Sequence, residues 1–399
     1  MIKKKLNLLF NKLKGRIVFI SIIAENFLRT LTVLVVLNLF SSKELSSLGI
    51  IQAAIAIFTI LLPLGFGVSS QRFSVDIKSK EFLGANTLFY LISFIQMLAI
   101  YFLWNFFIYK IEGLDFDNSY YKLVFLAITF LTIERTKIKA ILRIRGENNL
   151  FIMLSIIPAV LEIVLVYFLL NNNSGVFDLF IIRIISTMPV LIFTFYSFRY
   201  LTINFYDKTV VKYSLITIPN KLVTGSLGYF MNLFAFNLGT DFMAKFYGSL
   251  KITSILNTIL NAYYQYVEPT FYRKEGIAKK LHLRLIRNIC ILSLLFMAAV
   301  FVLMTFFGNY PITNNLSIKI IALLSVVYIL TMIFRFVSFK LFFHLRNDLI
   351  FYINILAIVV FMLISYSYPK MFLEALILGL TIKILSTLVL NNKYFKLNE

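Results

Sequence analysis

Apolar runs of about 20 residues follow one another along the 399-residue chain, separated by short polar segments. A helix of this length crosses about 30 Å of hydrocarbon, and a helix satisfies its own backbone groups in lipid. The pattern therefore predicts an all-α integral membrane protein with about twelve transmembrane helices. The twelve predicted spans cover residues 17–40, 47–69, 83–108, 121–136, 150–170, 176–196, 214–236, 245–270, 288–308, 317–338, 349–366 and 371–390.

Landmark residues recur in the two halves of the chain at a nearly constant spacing. Gly49 and Gly248 lie 199 positions apart. The spacing is 201 for three further pairs, which are Arg72 and Arg273, Arg145 and Arg346, and Glu147 and Asp348. The constant spacing indicates duplication of a six-helix unit.

Six spans per unit leave both copies in the same orientation, which predicts a parallel repeat about an axis along the membrane normal. Transporters with this plan bind their cargo between the two halves. The predicted domains are a six-helix bundle over residues 1–200, a cytoplasmic linker over 201–213 and a second six-helix bundle over 214–399.

The net charge of +21 comes from basic residues that are unevenly placed. The segments predicted on one side of the membrane hold 27 Lys and Arg residues, and the opposite loops and helix ends hold 6. The positive-inside rule then places both termini in the cytoplasm. The charge needs no nucleic acid partner to explain it. The 27 residues lie in segments 1–16, 70–82, 134–149, 197–213, 272–287, 339–348 and 391–399.

Several charged side chains fall inside the predicted spans. The cations are Arg29, Arg183, Lys221, Lys251, Arg335 and Lys383, and the deeper acids are Glu25, Glu162 and Glu268. A single cation at a helix centre costs about 2.5–3.5 kcal/mol on the insertion scale. Most of these side chains are therefore expected to face protein or water. Because the six bases outnumber the three acids, the expected cargo is an anion.

The spacing of polar residues places many of them on single helix faces. In the eighth span Lys251, Ser254, Thr258, Asn261, Gln265 and Glu268 follow steps of three and four. Lys221, Thr224, Gly225, Gly228 and Asn232 share a face of the seventh span, and Ser21, Glu25, Arg29 and Thr32 share one of the first. One reading is a water-filled cavity lined by these faces. The others are polar or small-residue packing between helices and, in the first span, an internal Glu25–Arg29 pair.

No arrangement typical of an enzyme stands out. The Asp-Phe-Asp sequence at 115–117 lies in a short loop, and His282 and His344 are isolated. The chain is thus expected to have no catalytic residues, no metal site and no cofactor.

Three stretches resemble polysaccharide flippases of the MOP (multidrug/oligosaccharidyl-lipid/polysaccharide) exporter superfamily. They are "KELSSLGIIQAAIAIFTILLPLGFGVSSQRFS" (43–74), the region from "PNKLVTGSLGYF" to "YQYVEPTFYR" (219–273), and "AILRIRGENNLF" (140–151). The resemblance implies a MATE-like fold, with two six-helix bundles in a V shape that work by alternating access. The implied cargo is an undecaprenyl-diphosphate-linked oligosaccharide of the O-antigen, capsule or lipopolysaccharide type.

In such flippases the first, second, seventh and eighth helices line a cationic cavity. Carried onto matching helices, this implies Arg29, Lys221 and Lys251 as cargo-binding cations, and we add Arg183 as a fourth candidate. Glu25 and Glu268 are the candidates for coupling to H⁺ or Na⁺. Ser254, Thr258, Asn261, Gln265 and Asn232 complete the polar wall. The Glu25–Arg29 pair departs from the family pattern, since it partly neutralises the cation of the first helix.

The resemblance also implies a location and partners. The protein would span the bacterial inner membrane with both termini in the cytoplasm, and would work in membrane lipid beside a polysaccharide polymerase and a chain-length regulator. Two other functions are considered. One is a MATE-like proton- or sodium-coupled drug antiporter. The other is a polysaccharide polymerase, which usually carries a long extracytoplasmic loop that this sequence lacks.

Overall fold

The structure, a computed structural model, describes the backbone of residues 2–102, 119–171, 174–273, 279–306, 316–343 and 347–395. Within these ranges the side chains of 2–19, 216–217, 219–226, 265–273, 279–284, 303, 306, 339–343, 347–348 and 392–395 lie outside the description. The described chain is helical and contains no strand. It divides into two compact units, residues 1–229 and 230–399.

The first unit holds eight helices and the start of a ninth. They are α1 (Ile2–Leu39), α2 (Ser42–Leu61), α3 (Phe66–Phe73), α4 (Lys80–Phe102), α5 (Ser119–Arg145), α6 (Asn148–Leu169), α7 (Val176–Thr187), α8 (Pro189–Phe198) and α9 (Lys208–Asn237). Helix α1 packs along α6, and α5 packs against α3, α6 and α7. Their buried faces form an apolar core that includes Leu37, Phe89, Phe125 and Phe180.

Local sequence signals mark where these helices begin and bend. Ser41 caps α2 with a capping box, because its hydroxyl accepts from the Glu44 amide while the Glu44 carboxylate accepts from the Ser41 amide. Pro189 occupies the first turn of α8, and α7 and α8 meet at an angle of 56°. Proline suits a first turn because it lacks the amide hydrogen that is unpaired there.

A sharp break separates α2 from α3. Pro63 cannot donate a backbone hydrogen bond, and the next two residues have positive φ, 38° at Leu64 and 79° at Gly65. Glycine adopts this conformation readily. The apolar pattern predicts one continuous span over 47–69, and the structure corrects this to two helices.

The second unit contains the rest of α9 and five further helices. They are α10 (Thr240–Arg273), α11 (Lys279–Phe306), α12 (Ile318–Phe343), α13 (Asn347–Ser367) and α14 (Phe372–Phe395), with a 3₁₀ turn at Pro369–Met371. Helix α14 packs against α12 and α13. A side chain at Gly379 would place its Cβ 2.8 Å from the Ala357 carbonyl oxygen, so the glycine permits close contact between α13 and α14.

One pair of helix starts lies close to the spacing of the predicted repeat. Helix α2 begins at Ser42, 198 positions before α10 begins at Thr240. Helices α2 and α3 together match the unbroken α10. The boundaries predicted for the bundles and their linker stay a prediction, since α9 itself crosses the division at residue 229.

Each of the twelve predicted spans overlaps one described helix or a pair of adjacent ones. Over the residues searched, eight helices are long and apolar enough to cross a membrane, or nine if α7 and α8 form one span. Helices α5 and α10 are not among them, because charged and polar residues interrupt their apolar sequence. These two helices carry much of the candidate site.

Candidate functional site

The first unit contains a network of charged side chains centred on Glu25 of α1. One Glu25 carboxylate oxygen accepts from Arg135 Nη2 at 2.7 Å and lies 3.4 Å from Arg29 Nε. The other accepts from Lys139 Nζ at 2.5 Å. The spacing explains the arrangement, since Glu25 and Arg29 on α1, and Arg135 and Lys139 on α5, are each one helical turn apart.

Glu162 of α6 extends this network to α7. Its Oε2 accepts from Arg29 Nη1 at 3.0 Å, and its Oε1 accepts from Arg183 Nε at 2.9 Å. Arg29 therefore contacts both carboxylates and joins the Glu25 part of the network to the Glu162 part. Side chains from α1, α5, α6 and α7 meet at this point. We use the name α1 network for the six residues Glu25, Arg29, Arg135, Lys139, Glu162 and Arg183.

The α1 network carries more positive than negative charge. Among the described side chains, four cations meet two carboxylates, and the carboxylates are almost fully buried. Arg29 is the most accessible member, with 33% of its side chain exposed, whereas Arg183, Lys139 and Arg135 are at 16%, 18% and 10%. A buried cation is tolerated when it is paired and hydrogen-bonded. The surplus positive charge makes the neighbourhood of Arg29 attractive to an anion.

A second buried network lies on another face of α5. Lys137 is 1% exposed, and its ammonium lies 3.0 Å from Glu134 Oε2 and 3.3 Å from Asn86 Oδ1. The ammonium also stands 4.0 Å and 3.9 Å from the ring centroids of Phe89 and Tyr90. Such cation–π contacts are attractive, particularly where water is excluded. The charges of Lys137 and Glu134 balance. Because Asn86, Phe89 and Tyr90 lie on α4, the contacts of Lys137 with them hold α4 and α5 together.

Asn86 connects the second network to the end of α8. Its Nδ2 donates to the carbonyl oxygens of Ser197 and Tyr200 at 3.1 and 3.3 Å. The Tyr90 hydroxyl donates to Glu134 Oε1 at 2.5 Å. These bonds position the chain that leaves the last helix of the first half.

The two networks correct the predicted end of the fourth span. The hydropathy pattern predicts that this span ends at residue 136, with Arg135, Lys137 and Lys139 among the loop charges. In the structure α5 continues to Arg145, and all three side chains are paired with residues on the same or packed helices. The surplus of basic residues on that side persists without them.

A sequence signal for these residues does exist. Ile138, Ile141 and Leu142 continue the apolar helical period beyond residue 136, and all three are buried. Hydropathy alone missed the continuation because the charges of α5 lower its average. Arg135 and Lys139 pair with Glu25, which lies 110 and 114 positions earlier in the chain, so their neutralisation was not visible in the sequence. Glu134, the partner of Lys137, lies three positions before it on the same helix.

The polar stripe of α10 lies partly within the described side chains. Ser254 Oγ donates to the Lys251 carbonyl at 2.6 Å, and Thr258 Oγ1 donates to the Ser254 carbonyl at 3.0 Å. Both hydroxyls therefore bond to their own helix. Asn261 accepts a hydrogen bond from Arg335 of α12 and donates to Asn257 Oδ1 at 2.9 Å.

The remaining predicted residues are distributed as follows. The Lys251 ammonium lies 5.2 Å from the Tyr247 ring centroid, and Asn232 of α9 is buried, with 8% exposed. Lys383 lies 3.9 Å from the Phe334 ring. The side chains of Lys221, Gln265 and Glu268 lie outside the described residues. The structure thus joins Arg29 to Arg183 through Glu162, while Lys251 belongs to the second unit.

No protein-family model and no curated protein matches the chain. Solved structures do match. An outward-facing multidrug resistance MATE family transporter of the MOP superfamily aligns with a TM-score of 0.62 and 16% identity, over 96% of this chain and 95% of that one. A MATE transporter in the straight conformation gives 0.61 and 15%, over 96% and 94%.

A third match is a MOP superfamily transporter from Pyrococcus furiosus, for which reverse polarity of the binding pocket is said to suggest a different function. It aligns with a TM-score of 0.54 and 16% identity, over 96% of this chain and 95% of that one. Identities this low establish the fold alone. The chain therefore has the fold of the MATE transporters of the MOP superfamily, and its many apolar helices make it a multi-pass membrane protein.

Proposed function

We propose that the protein is a flippase that moves an undecaprenyl-diphosphate-linked oligosaccharide from the cytoplasmic to the outer leaflet of the bacterial inner membrane. The observation that supports this most directly is the surplus of two positive charges in the α1 network. Cations without a counter-charge lower the stability of a helix bundle in lipid, so packing alone does not explain them. A diphosphate supplies the missing negative charge.

Arg29 is the residue that we expect to contact the diphosphate first. It is the most exposed cation of the α1 network, and a guanidinium binds phosphate oxygens with bidentate geometry. Arg183 contributes through Glu162, which holds both guanidiniums. Lys251 and Lys221, on α10 and α9, are the proposed cations of the second half, and Ser254, Thr258, Asn261, Gln265 and Asn232 the proposed polar contacts.

The charge balance also bears on ion coupling. Glu25 contacts three cations, so it acts as a coupling carboxylate only if those contacts rearrange during the cycle. Glu268 is the second proposed coupling residue. Cytoplasmic termini and cooperation with a polymerase and a chain-length regulator belong to the same proposal, and the uneven basic residues support that orientation.

A drug antiporter with the same fold is the second candidate, because a multidrug resistance transporter is among the structural matches. Such a protein exports cations, which bind more favourably beside a surplus of carboxylates. In the α1 network cations outnumber carboxylates, which favours an anionic cargo. The Pyrococcus furiosus transporter, described as having a pocket of reverse polarity, is a precedent for a change of pocket charge on this fold.

A transport assay separates the candidates. Purified protein is reconstituted in vesicles that contain undecaprenyl diphosphate carrying a fluorescently labelled sugar, and dithionite reports how much label reaches the outer surface. We expect wild-type protein to move the lipid and to leave ethidium, an organic cation, untransported. Ethidium exchange without movement of the lipid would identify a drug antiporter and refute the proposal.

Variants of Arg29 test the site within the same assay. A charged hydrogen bond contributes about 1.5–3 kcal/mol, so Arg29→Ala should lower affinity for the lipid about 10- to 100-fold. Arg29→Lys keeps the charge and should retain part of the activity. Lys319→Ala, which removes an exposed cation with its side chain 79% exposed, is the matched control and should behave as wild type.

A further inference from the structure

A groove of about 320 Å³ opens in the first unit where α5 ends, α6 begins and α8 ends. Its walls are apolar, and they include Phe82, Ile138, Leu142, Leu150 and Phe193. The volume equals that of about ten water molecules in the liquid. Water gains few hydrogen bonds in such a space, so an apolar chain is the occupant that the walls favour.

One edge of the groove is polar and basic. Arg145 Nη2 donates to Glu147 Oε1 at 2.8 Å across the turn at Gly146, and both residues line the groove. The Arg199 guanidinium lies 5.5 Å from the ring of Tyr196, another lining residue. Two guanidiniums and one carboxylate therefore lie along this edge, beside the lining residues of the groove.

Tyr196 and Tyr200 are the polar lining residues at the end of α8. The Tyr200 hydroxyl is 3.0 Å from the Tyr196 hydroxyl, and this hydrogen bond is the main reason why the Tyr200 pKa is raised above its usual value. Arg145 and Arg199 both act on the same hydroxyl in the opposite direction. Arg145 lines the groove and Arg199 lies beside its lining residue Tyr196, so both guanidiniums belong to the basic edge.

The surface around the groove is suited to a membrane–water boundary. Ile192 lines the groove and is 70% exposed, Phe195 is 66% exposed and Ile144 is 43% exposed. Tyr196 and Tyr200 lie beside the arginines, and tyrosines collect at the level of lipid headgroups. A ligand that combines an apolar chain with an anionic group reaches such a groove from the bilayer itself.

From this geometry we propose that the groove is a binding site for an anionic phospholipid, with one acyl chain in the groove and the phosphate on Arg145 and Arg199. The apolar walls match the chain and the basic edge matches the headgroup. Basic pockets between membrane helices bind acidic lipids in this way. The site uses neither Arg29 nor any other member of the α1 network, so it stands apart from the proposed flippase function.

Native mass spectrometry of the purified full-length protein tests the site. The protein is titrated with palmitoyl-oleoyl phosphatidylglycerol and separately with the matching phosphatidylcholine. We expect phosphatidylglycerol to bind at least about tenfold more tightly than phosphatidylcholine, because phosphatidylglycerol has a net negative charge that complements the basic edge and phosphatidylcholine has none. Equal binding of the two lipids would overturn the proposal.

Three variants localise the binding. Arg145→Ala combined with Arg199→Ala should abolish the preference for phosphatidylglycerol, and Ile192→Trp should lower retention of the lipid by filling the groove. Ile203→Trp, at a site 97% exposed outside the groove lining, is the matched control for Ile192→Trp and should bind as wild type. Lys319→Ala is the matched control for loss of charge.

Size-exclusion profiles and melting temperatures confirm that each variant is folded before binding is compared. Unchanged phosphatidylglycerol preference in the folded double arginine variant would overturn the proposal. Displacement of bound phosphatidylglycerol by equimolar undecaprenyl phosphate would also overturn it, because the groove would then belong to a polyprenyl chain.

Discussion

Arg29 on α1 and Glu162 on α6 form an ion pair of 3.0 Å between residues 133 positions apart in the chain. The same carboxylate holds Arg183, so the pair ties α1, α6 and α7 together at a buried point. One contact thus combines two roles. It stabilises the helix packing of the first unit, and it orients the cation that we expect to meet the cargo.

Loss of the Glu162 charge should destabilise the protein. Glu162→Gln keeps the side-chain size but leaves Arg29 and Arg183 without this counter-charge, and breaking a buried ion pair costs about 3–5 kcal/mol. Thermal unfolding in detergent should show a clear fall in the melting temperature. Glu374→Gln is the control, because Glu374 lies 3.7 Å from Lys319, whose side chain is 79% exposed, and its effect should stay within about 0.5 kcal/mol. A melting temperature unchanged by Glu162→Gln would contradict the pairing.

Lys137 and Glu134 should behave as a neutral unit. Lys137→Met leaves Glu134 buried without its cation, and we expect a loss of about 3–5 kcal/mol. The double variant Glu134→Gln with Lys137→Met removes both charges and should recover part of the stability. The four unfolding free energies form a double-mutant cycle. Additive effects of the two substitutions would show that the residues do not interact.

Ser69 and Ser214 should form a disulfide when both are replaced by cysteine. Their hydroxyl oxygens are 2.5 Å apart and buried, which places the middle of α3 against the first part of α9. The background is Cys290→Ser, which removes the natural cysteine. Mass spectrometry of peptides after mild oxidation identifies the cross-link. Ser70→Cys with Ser214→Cys is the control, because Ser70 bonds to the Phe66 carbonyl, and failure of the first pair alone to cross-link would contradict the contact.

Gly65 should be sensitive to a side chain. Its φ of 79° is left-handed, so Gly65→Ala should cost about 1–2 kcal/mol. Gly228→Ala is the matched control, since Gly228 lies in helix α9 with nothing within 4 Å of an added Cβ. Alanine there should be neutral or stabilise by up to about 1 kcal/mol. Equal unfolding free energies for Gly65→Ala and Gly228→Ala would show that alanine causes no backbone strain at residue 65.

The sequence alone determined the fold class. Apolar runs of membrane length predict helices, since the backbone in lipid must satisfy its own hydrogen bonds, and every predicted span overlaps a helix. The repeat was also visible in Arg72 and Arg273, and the starts of α2 and α10, 198 positions apart, lie close to that spacing. Arg29 and Glu25 stood out because charge inside an apolar run is costly wherever its partners lie.

Only the tertiary structure decided which charges meet. The pairing of Arg29 with Glu162, and of Glu25 with Arg135 and Lys139, depends on how α1, α5 and α6 pack. The end of α5 was misplaced for the same reason, since its charges resemble loop charges until their partners are known. A sequence determines which residues must be shielded from lipid, because the free-energy cost of exposing a charge to lipid is a property of each residue. Which charged residues pair depends on the distances between residues that lie far apart in the chain, and only the folded structure sets those distances.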